Sequence, residues 1–304
     1  MGISDNLTDR APAQAAGSTI GALLEQGRSA HAGRGDSTFL EAQLLLEHVL
    51  GRPRSELLAH PERVLPAAAA ARFQSLLGRA AAGEPLAYLT GAREFWSLPL
   101  AVTPAVLIPR PETELAVERC LALLPDPRSV APSVAPDDQG RILVCDLGTG
   151  SGAIALALAS ERPSWRITAT DRSAAALAVA QVNAARLGLS LEWLQGDWFA
   201  PLHGRRFDLV VSNPPYIGAA DPALTALAYE PREALVAGPS GFEALCALVA
   251  HASAHLAAGG ALVLEHGADQ AAALAQALVA RGYARVRCHQ DLAGRDRVTE
   301  ACWP

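Results

Sequence analysis

A glycine-rich segment, DLGTGSGAIALALA, contains the first residues whose types and spacing suggest chemistry. Gly148, Gly150 and Gly152 lie between an apolar run and an alanine-rich run, where a strand would turn into a helix. Glycine allows a tight turn and lets a ligand approach the backbone, and the amides of the helix face that ligand. Asp171 ends the next apolar run, where a carboxylate accepts the ribose hydroxyls of a nucleoside cofactor or caps the next helix. Together these residues predict a nucleoside-binding turn.

A third candidate position follows the next strand, in the segment QGDWF. Asp197 and Trp198 fall there, on the edge of the sheet that would also carry the glycines. An aromatic face suits an adenine ring, and a carboxylate suits its amino group. The alternative interpretation of Trp198 is an ordinary core residue.

The most unusual segment is FDLVVSNPPYIG, an apolar strand that ends in asparagine, two prolines and a tyrosine. Proline has no N–H, so this turn presents carbonyl acceptors with few competing donors. We expect the Asn213 side-chain oxygen and the Pro214 carbonyl to accept from one planar NH2 group, with Tyr216 packed against that group. Two acceptors that hold an amide nitrogen localise and orient its lone pair for attack. The motif therefore predicts transfer to an amide or aromatic amine.

These residues require a sheet whose strands end at one edge. From Arg141 onward, strand and helix patterns alternate, and seven strand candidates result: RILVCDL, WRITATD, LEWLQ, FDLVVS, ALVLEH, ARVRCHQ and RVTEACW. Alternation of this kind predicts an α/β fold with a seven-stranded, doubly wound, Rossmann-like sheet.

The chain before this sheet has a different pattern. Residues 1–85 show helical periodicity, including a helix from Pro66 to Ala82, and predict a small helical bundle. Residues 86–111 are rich in β-branched and aromatic residues and in proline, which predicts a hairpin linker to a domain over residues 112–304. The Pro- and Ser-rich segment 125–140 predicts a mobile loop.

Composition excludes several functions. The 304 residues carry a net charge of −6, and they include no lysine, so neither a Schiff base nor the lysine of a P-loop is available. The sequence contains no run of basic residues of the kind that indicates direct nucleic-acid binding. It also contains no apolar run long enough to cross a membrane. The five cysteines form no zinc pattern and no disulfide framework, so we expect reduced thiols, no metal and a cytoplasmic location.

The segments YLTGAREFWSLPL, LIPRPETE, DLGTGSGAIALALA, GDWF, VSNPPYI, EPREALVAGPSG and LVLEHG resemble one family. The chain resembles the class I S-adenosylmethionine-dependent methyltransferases and, within them, the release factor glutamine N5-methyltransferases. The resemblance spans nearly the whole chain. It implies a helical domain that recognises the substrate and a reaction that methylates the glutamine of the Gly-Gly-Gln loop in peptide chain release factors.

The resemblance also implies site residues. Contacts with S-adenosylmethionine would fall on Gly148, Thr149, Gly150, Ser151, Gly152, Asp171, Trp198 and Asn213. Contacts with the substrate amide would fall on Asn213, Pro214, Pro215 and Tyr216, of which Asn213, Pro214 and Tyr216 would be catalytic. The roles of Arg110 and Glu112 stay open between shaping the site and bracing the linker. We expect a monomer whose partner is the release factor.

Four alternatives belong to other classes. A glutamine methyltransferase of a ribosomal protein is the nearest, and LEHG and REFW favour the release-factor branch. An amino-group methyltransferase of DNA or RNA bases would also use NPPY, but the net negative charge counts against it. A nicotinamide-dependent oxidoreductase has no use for NPPY, and the turn lacks the GxGxxG spacing. An intact NPPY argues against a non-catalytic binding module.

Overall fold

The computed structural model describes residues 18–30, 37–124 and 141–304, and the chain divides into two units, residues 1–90 and 91–304. The Pro- and Ser-rich segment 125–140, predicted to be a loop, lies outside the described residues. Within the described ranges, no helix is both long enough and apolar enough to span a membrane.

The described part of the first unit is helical. Its helices are α1 (Ile20–Ala30), α2 (Ser37–Leu50), α3 (Arg54–Ala59), α4 (Ala67–Ala81) and α5 (Leu86–Thr90). Helix α4 matches the predicted helix to within one residue at each end. It begins after Pro66, where a missing N–H costs nothing, and it buries Phe73, Leu76 and Leu77 on one face. These side chains pack with buried residues of α1 and α2 in one apolar cluster.

The second unit begins with a two-stranded antiparallel hairpin and continues as an α/β sheet. Its strands are β1 (Ala92–Phe95), β2 (Leu98–Ala101), β3 (Leu143–Leu147), β4 (Arg166–Asp171), β5 (Glu192–Gln195), β6 (Phe207–Ser212), β7 (Ile217–Gly218), β8 (Val236–Gly238), β9 (Leu256–Glu265), β10 (Ala284–Gln290) and β11 (Asp296–Cys302). Its helices are α6 (Glu114–Leu123), α7 (Ala153–Glu161), α8 (Ala174–Leu187), α9 (Glu243–His251) and α10 (Ala271–Ala280).

Seven strands form the main sheet in the order β10-β11-β9-β6-β3-β4-β5, which confirms the predicted α/β sheet. Strands β9, β6, β3, β4 and β5 are parallel, and β10 and β11 are antiparallel additions at one edge. The order reverses at β3, which has β4 on one side and β6 on the other. Ligands bind at the carboxyl ends of strands beside such a reversal.

Helices cover both faces of the sheet. In β3, Val144 packs in a cluster with α6 and α7, whereas its neighbour Cys145 packs in a second cluster with α9 and α10. Successive side chains of a strand point to opposite faces, so a strand covered on both sides reads as a continuous apolar run. This explains why β3 and β6 lack an alternating pattern.

One strand boundary differs from the prediction. Strand β9 begins at Leu256, five residues before the predicted Ala261, because Leu256 pairs with Phe207 of β6. The chain at Gly259 and Gly260 also hydrogen-bonds to Trp303 near the C-terminus. The two units divide between Thr90 and Gly91, so α5 groups with the helices and the β1–β2 hairpin groups with the sheet.

Candidate cofactor and substrate site

A cavity of about 320 Å³ lies in the second unit, at the carboxyl edge of the parallel strands. This volume lies within the range of small-molecule sites, roughly 300–1,000 Å³. Its wall includes most of the residues that the sequence predicted to bind ligands: Gly148, Thr149, Gly150, Ser151, Asp171, Asp197, Trp198, Asn213 and Pro215. Gly152, Pro214 and Tyr216 lie next to these residues in the chain but are not part of the wall.

The glycine turn has the left-handed backbone that its sequence predicts. The φ angles of Gly148, Gly150 and Gly152 are 69°, 57° and 85°, a region that side chains disfavour. A Cβ at Gly148 would lie 3.3 Å from Cζ3 of Trp198. The turn therefore needs glycine both for its conformation and for the approach of the indole ring.

Asp171, at the end of β4, is half-buried and organises this turn. Its Oδ2 accepts from the backbone N–H of Gly150 at 2.9 Å, and its Oδ1 accepts from the N–H of Ser173 at 2.9 Å. The N-cap of α8 is Ser173, whose hydroxyl accepts from the N–H of Ala176. Each Asp171 oxygen keeps a lone pair for another donor. The carboxylate thus fixes the glycine turn and remains able to accept ribose hydroxyls.

Asp146 is a site residue that sequence reasoning missed. It is the next-to-last residue of β3, close to the glycines, and it lines the cavity and is buried. Its Oδ2 accepts from the Thr149 hydroxyl at 2.6 Å and from the N–H of Ala155 at 3.2 Å. Its Oδ1 has no hydrogen-bond partner among the described residues. Burial raises the pKa of this carboxyl to about 7. An acidic residue two positions before the first glycine of the turn was the signal that could have identified it.

Trp198 and Asp197 lie after β5, as predicted. Trp198 has a φ of 45°, a left-handed conformation that is uncommon for a bulky residue. Its half-buried indole lies against Gly148, whereas Asp197 is exposed. The strained backbone places a flat aromatic face on the cavity wall beside the glycine turn. The two residues thus provide the aromatic surface and the carboxylate expected beside an adenine ring.

The NPPY segment follows β6, and two of its residues, Asn213 and Pro215, line the same cavity. Asn213 is half-buried, and its Nδ2 donates to the Thr113 hydroxyl at 3.1 Å, so its Oδ1 faces away from Thr113. Pro214 is buried. The Tyr216 hydroxyl lies 3.5 Å from Oε1 of Glu265, a buried residue at the end of β9. Burial, with the charge of Glu265, raises the pKa of Tyr216 to about 12, so its phenol stays protonated.

Two charged contacts fix the loops around the cavity. Arg110 forms an ion pair with Glu230, which is buried and also accepts from the N–H of Ile108 at 3.1 Å. This pair joins the LIPRPETE segment to the EPREAL segment, and both segments line the cavity. Glu112 instead contacts Arg295 at 3.4 Å, in the turn between β10 and β11. Arg110 therefore shapes the cavity wall, and Glu112 contacts an edge of the sheet.

A buried asparagine in α8 was a second omission of the sequence reasoning. Asn183 exchanges two hydrogen bonds with the backbone of Ala101, at 2.7 and 3.0 Å, and donates to the carbonyl of Ser151 at 2.9 Å. It thereby connects the β2 strand to the glycine turn. A polar residue on the apolar face of a predicted helix was the available signal.

Fold and site together define a class. A glycine turn, a carboxylate able to accept ribose hydroxyls and an aromatic face at the reversal of the sheet fit S-adenosylmethionine. With NPPY at the same cavity, these features define a class I S-adenosylmethionine-dependent methyltransferase.

Comparisons with known proteins narrow this class. Residues 22–91 match the PrmC N-terminal domain, and residues 133–279 match the methyltransferase small domain. A release factor glutamine methyltransferase of Burkholderia pseudomallei is 49% identical, and the match covers 86% of this chain and 90% of that protein. The Escherichia coli protein of the same name is 47% identical, covering 85% and 90%. The chain belongs to the release factor glutamine methyltransferase family.

Solved structures agree on the fold. A methyltransferase from Pyrococcus furiosus has a TM-score of 0.50 at 17% identity, and the match covers 75% of this chain and 98% of that one. A 16S rRNA methyltransferase from Thermus thermophilus, in complex with AdoMet and guanosine, has a TM-score of 0.50 at 20% identity, covering 70% and 50%. At this level of identity, the likeness shows the fold alone.

Proposed function

We propose that this protein transfers a methyl group from S-adenosylmethionine to the side-chain amide nitrogen of the glutamine in the Gly-Gly-Gln loop of peptide chain release factors. The observation that carries the proposal is the opening of NPPY into the cavity that also contains the glycine turn and Asp171. Relatives at 47–49% identity over at least 85% of the chain carry the matching name.

The cofactor side of the cavity has its own set of residues. We assign ribose binding to Asp171, adenine contacts to Trp198 and Asp197, and the remaining backbone contacts to the turn from Gly148 to Gly152. When bound, S-adenosylmethionine supplies a methyl group that is electrophilic because it is attached to a sulfonium.

The substrate side consists of NPPY. Because Asn213 donates to Thr113 through Nδ2, its Oδ1 is available to accept from the substrate amide. We assign the second N–H of that amide to the Pro214 carbonyl, and packing against its plane to Tyr216. Two acceptors in fixed positions orient the nitrogen lone pair toward the methyl group. Pro215 lines the cavity and keeps the turn rigid, since its φ is fixed.

NPPY would also hold the amino group of a nucleic-acid base, so the alternatives differ in what surrounds the motif. The chain carries 25 basic and 31 acidic residues, a balance that disfavours direct nucleic-acid binding. A ribosomal protein is the closer alternative, because its glutamine would present the same amide. The names of the relatives favour the release factor.

The first unit takes part in this proposal as the recognition domain. All of the residues that line the cavity belong to the second unit, so the helices before Gly91 are free to bind another part of the release factor. A monomer that works in the cytoplasm, without direct contact to nucleic acid, completes the proposal.

Transfer of radiolabelled methyl groups tests it. Purified protein and labelled S-adenosylmethionine are incubated with a release factor, with the same factor carrying Gln→Ala in its Gly-Gly-Gln loop, and with ribosomal proteins. We expect label on the unmodified release factor alone, and mass spectrometry should place it on that glutamine. Label on the altered factor, on a ribosomal protein or on nucleic acid would contradict the substrate assignment.

Asn213→Ala provides the internal control. It removes one preorganised acceptor, so methyl transfer should fall by about 10²–10³-fold, the usual loss for one such contact in a transition state. Cofactor affinity should stay close to that of the unaltered protein. Transfer within tenfold of the unaltered rate would show that Asn213 does not hold the reacting amide.

A further inference from the structure

Gln270 joins three segments of the second unit through one side-chain amide. It is the N-cap residue of α10, it is half-buried, and it is not part of the cavity wall. Its Nε2 donates to the carbonyl of Tyr216 at 3.1 Å and to the carbonyl of Gly241 at 3.0 Å. Its Oε1 accepts from the backbone N–H of Gly267 at 2.9 Å. One amide in the loop after β9 thus holds the last residue of NPPY and the loop before α9.

The partners of the Gln270 amide fix its direction. A backbone N–H only donates and a backbone carbonyl only accepts, so the amide oxygen must face Gly267 and the NH2 must face the two carbonyls. The backbone N–H of Gln270 also donates to the carbonyl of Gly267 at 2.9 Å. The side chain and the main chain of Gln270 therefore hold the same residue, and this anchors the NH2 group against NPPY.

The loop at Gly241 packs closely against NPPY, and the shared NH2 makes this packing favourable. Gly241 is buried, and a Cβ on it would lie 2.7 Å from the carbonyl oxygen of Tyr216. Two carbonyl oxygens that face one nitrogen carry partial charges of the same sign, and they repel each other unless a donor lies between them. The two hydrogens on Nε2 of Gln270 supply that donor to both oxygens.

The prolines make NPPY depend on contacts of this kind. Pro214 and Pro215 have no N–H, so the backbone of the motif cannot donate hydrogen bonds through them. The motif begins where β6 ends, and it continues into β7, where the N–H of Ile217 donates to the neighbouring segment. The bond from Gln270 holds the carbonyl of Tyr216, next to the ring and the Pro214 carbonyl that we assign to the substrate amide.

We infer that Gln270 is a positioning residue for methyl transfer, because its NH2 group holds the carbonyls of Tyr216 and Gly241 and thereby keeps NPPY in the position that receives the substrate amide. Gln270 touches neither the cofactor nor the substrate in this account. The inference rests on the proposed function for its kinetic consequences, but the three hydrogen bonds are a property of the protein alone.

Two substitutions separate the two halves of the amide. Gln270→Glu keeps the length of the side chain and the acceptor for Gly267, but it replaces the NH2 by an oxygen that repels both carbonyls. Gln270→Lys offers donors to both carbonyls and loses the acceptor. With a release factor as substrate, Gln270→Glu should lower kcat at least tenfold, whereas Gln270→Lys should keep at least a third of the normal kcat. KM and the Kd of S-adenosylmethionine should change less than threefold in both, because Gln270 lies outside the cavity wall.

Gln290→Glu is the matched control. It makes the same change of charge and removes a donor to Asp296, at an exposed position outside the cavity wall, so kcat should stay within twofold of normal. The stoichiometry of S-adenosylmethionine binding in calorimetry gives the fraction of folded protein, and each kcat is corrected by it. If Gln270→Glu does not fold, Gln270→Met, which removes the donors without adding a charge, takes its place with the same limits. A Gln270→Glu protein with kcat within threefold of normal, or a Gln270→Lys protein slower than Gln270→Glu, would overturn the inference.

Hydrogen exchange tests the positioning role without any turnover. The N–H groups of Ile217 and Ala219, directly after NPPY, donate to the carbonyls of residues 235 and 238 at 3.0 and 2.8 Å. Exchange in peptides that contain these two residues, measured by mass spectrometry, should be at least fivefold faster in Gln270→Glu and unchanged in Gln290→Glu. This result stands even if the unaltered protein fails to methylate a release factor, an outcome that would refute the proposed function alone. Normal exchange in Gln270→Glu would refute the positioning role.

Discussion

Replacing Gly148 by alanine tests how closely the glycine turn and Trp198 depend on each other. An alanine at a φ of 69° is strained, and its Cβ would lie 3.3 Å from Cζ3 of Trp198. Gly188, which ends α8, has nearly the same φ, 67°, with no atom within 4 Å of an added Cβ. Gly188→Ala is therefore a matched control that carries the backbone strain without the indole contact.

The magnitudes follow from this comparison. Left-handed backbone costs an alanine about 1–2 kcal/mol, and the stiffer unfolded chain returns roughly 0.4–1 kcal/mol of it. Both variants should therefore lose about 1 kcal/mol of unfolding free energy, measured by urea denaturation. Only Gly148→Ala should also push Trp198 out of place. We expect its Kd for S-adenosylmethionine to rise about tenfold, which corresponds to about 1.4 kcal/mol.

Titration calorimetry of both variants decides the question. Gly188→Ala should bind S-adenosylmethionine within twofold of the unaltered protein. If Gly148→Ala binds equally well, the contact between the turn and Trp198 does not contribute to the cofactor site. If Gly188→Ala loses affinity as well, backbone strain and not the indole explains the effect.

Three further outcomes are expected. Asp171→Ala should weaken S-adenosylmethionine binding by roughly 1.5–3 kcal/mol, the scale of a charge-assisted hydrogen bond. The control is Asp269→Asn, at an exposed residue outside the cavity wall, which should leave the affinity measured by the same calorimetry unchanged. The pKa of Asp146 is raised from an ordinary 3.8 to about 7, so between these values the folded protein holds a proton that the unfolded chain has released. Because of this residue, the free energy of unfolding should fall as the pH rises from about 4 to about 7. Between pH 5 and 8 the cofactor-free protein should lose roughly 2–3 kcal/mol from this source, and urea denaturation of Asp146→Asn should lack that loss. A protein without residues 1–90 should still bind S-adenosylmethionine but methylate a release factor at least tenfold more slowly; full activity would remove the recognition role from the first unit.

Much of the fold followed from local pattern. Strands β3, β6 and most of β9 could be read as apolar runs, because strands covered by helices on both faces need apolar side chains at nearly every position. Helix α4 could be placed to within a residue because Pro66 and Gly83 bound a clear helical face. The predicted boundary of a strand was less accurate where the residues that pair with it are distant in the sequence. The early start of β9 depends on the pairing of Leu256 with Phe207, two residues that local pattern could not associate.

The candidate site shows the same division. The glycine turn, Asp171, Trp198 and NPPY were recognisable because each requires a particular residue type at the end of a strand. Asp146 and Asn183 were not, since their importance depends on which groups the fold brings to them.

The sequence by itself therefore determined the class of chemistry, because rare residue types in a turn restrict what that turn can bind. The tertiary structure decided the electrostatics and the hydrogen-bond directions. Burial among groups that are distant in sequence raises the pKa of Asp146 and of Glu265, and contacts across 100 and more positions of the chain link Asn213 to Thr113 and Arg110 to Glu230. Desolvation and hydrogen bonding depend on distance in space, which a pattern along the chain does not contain.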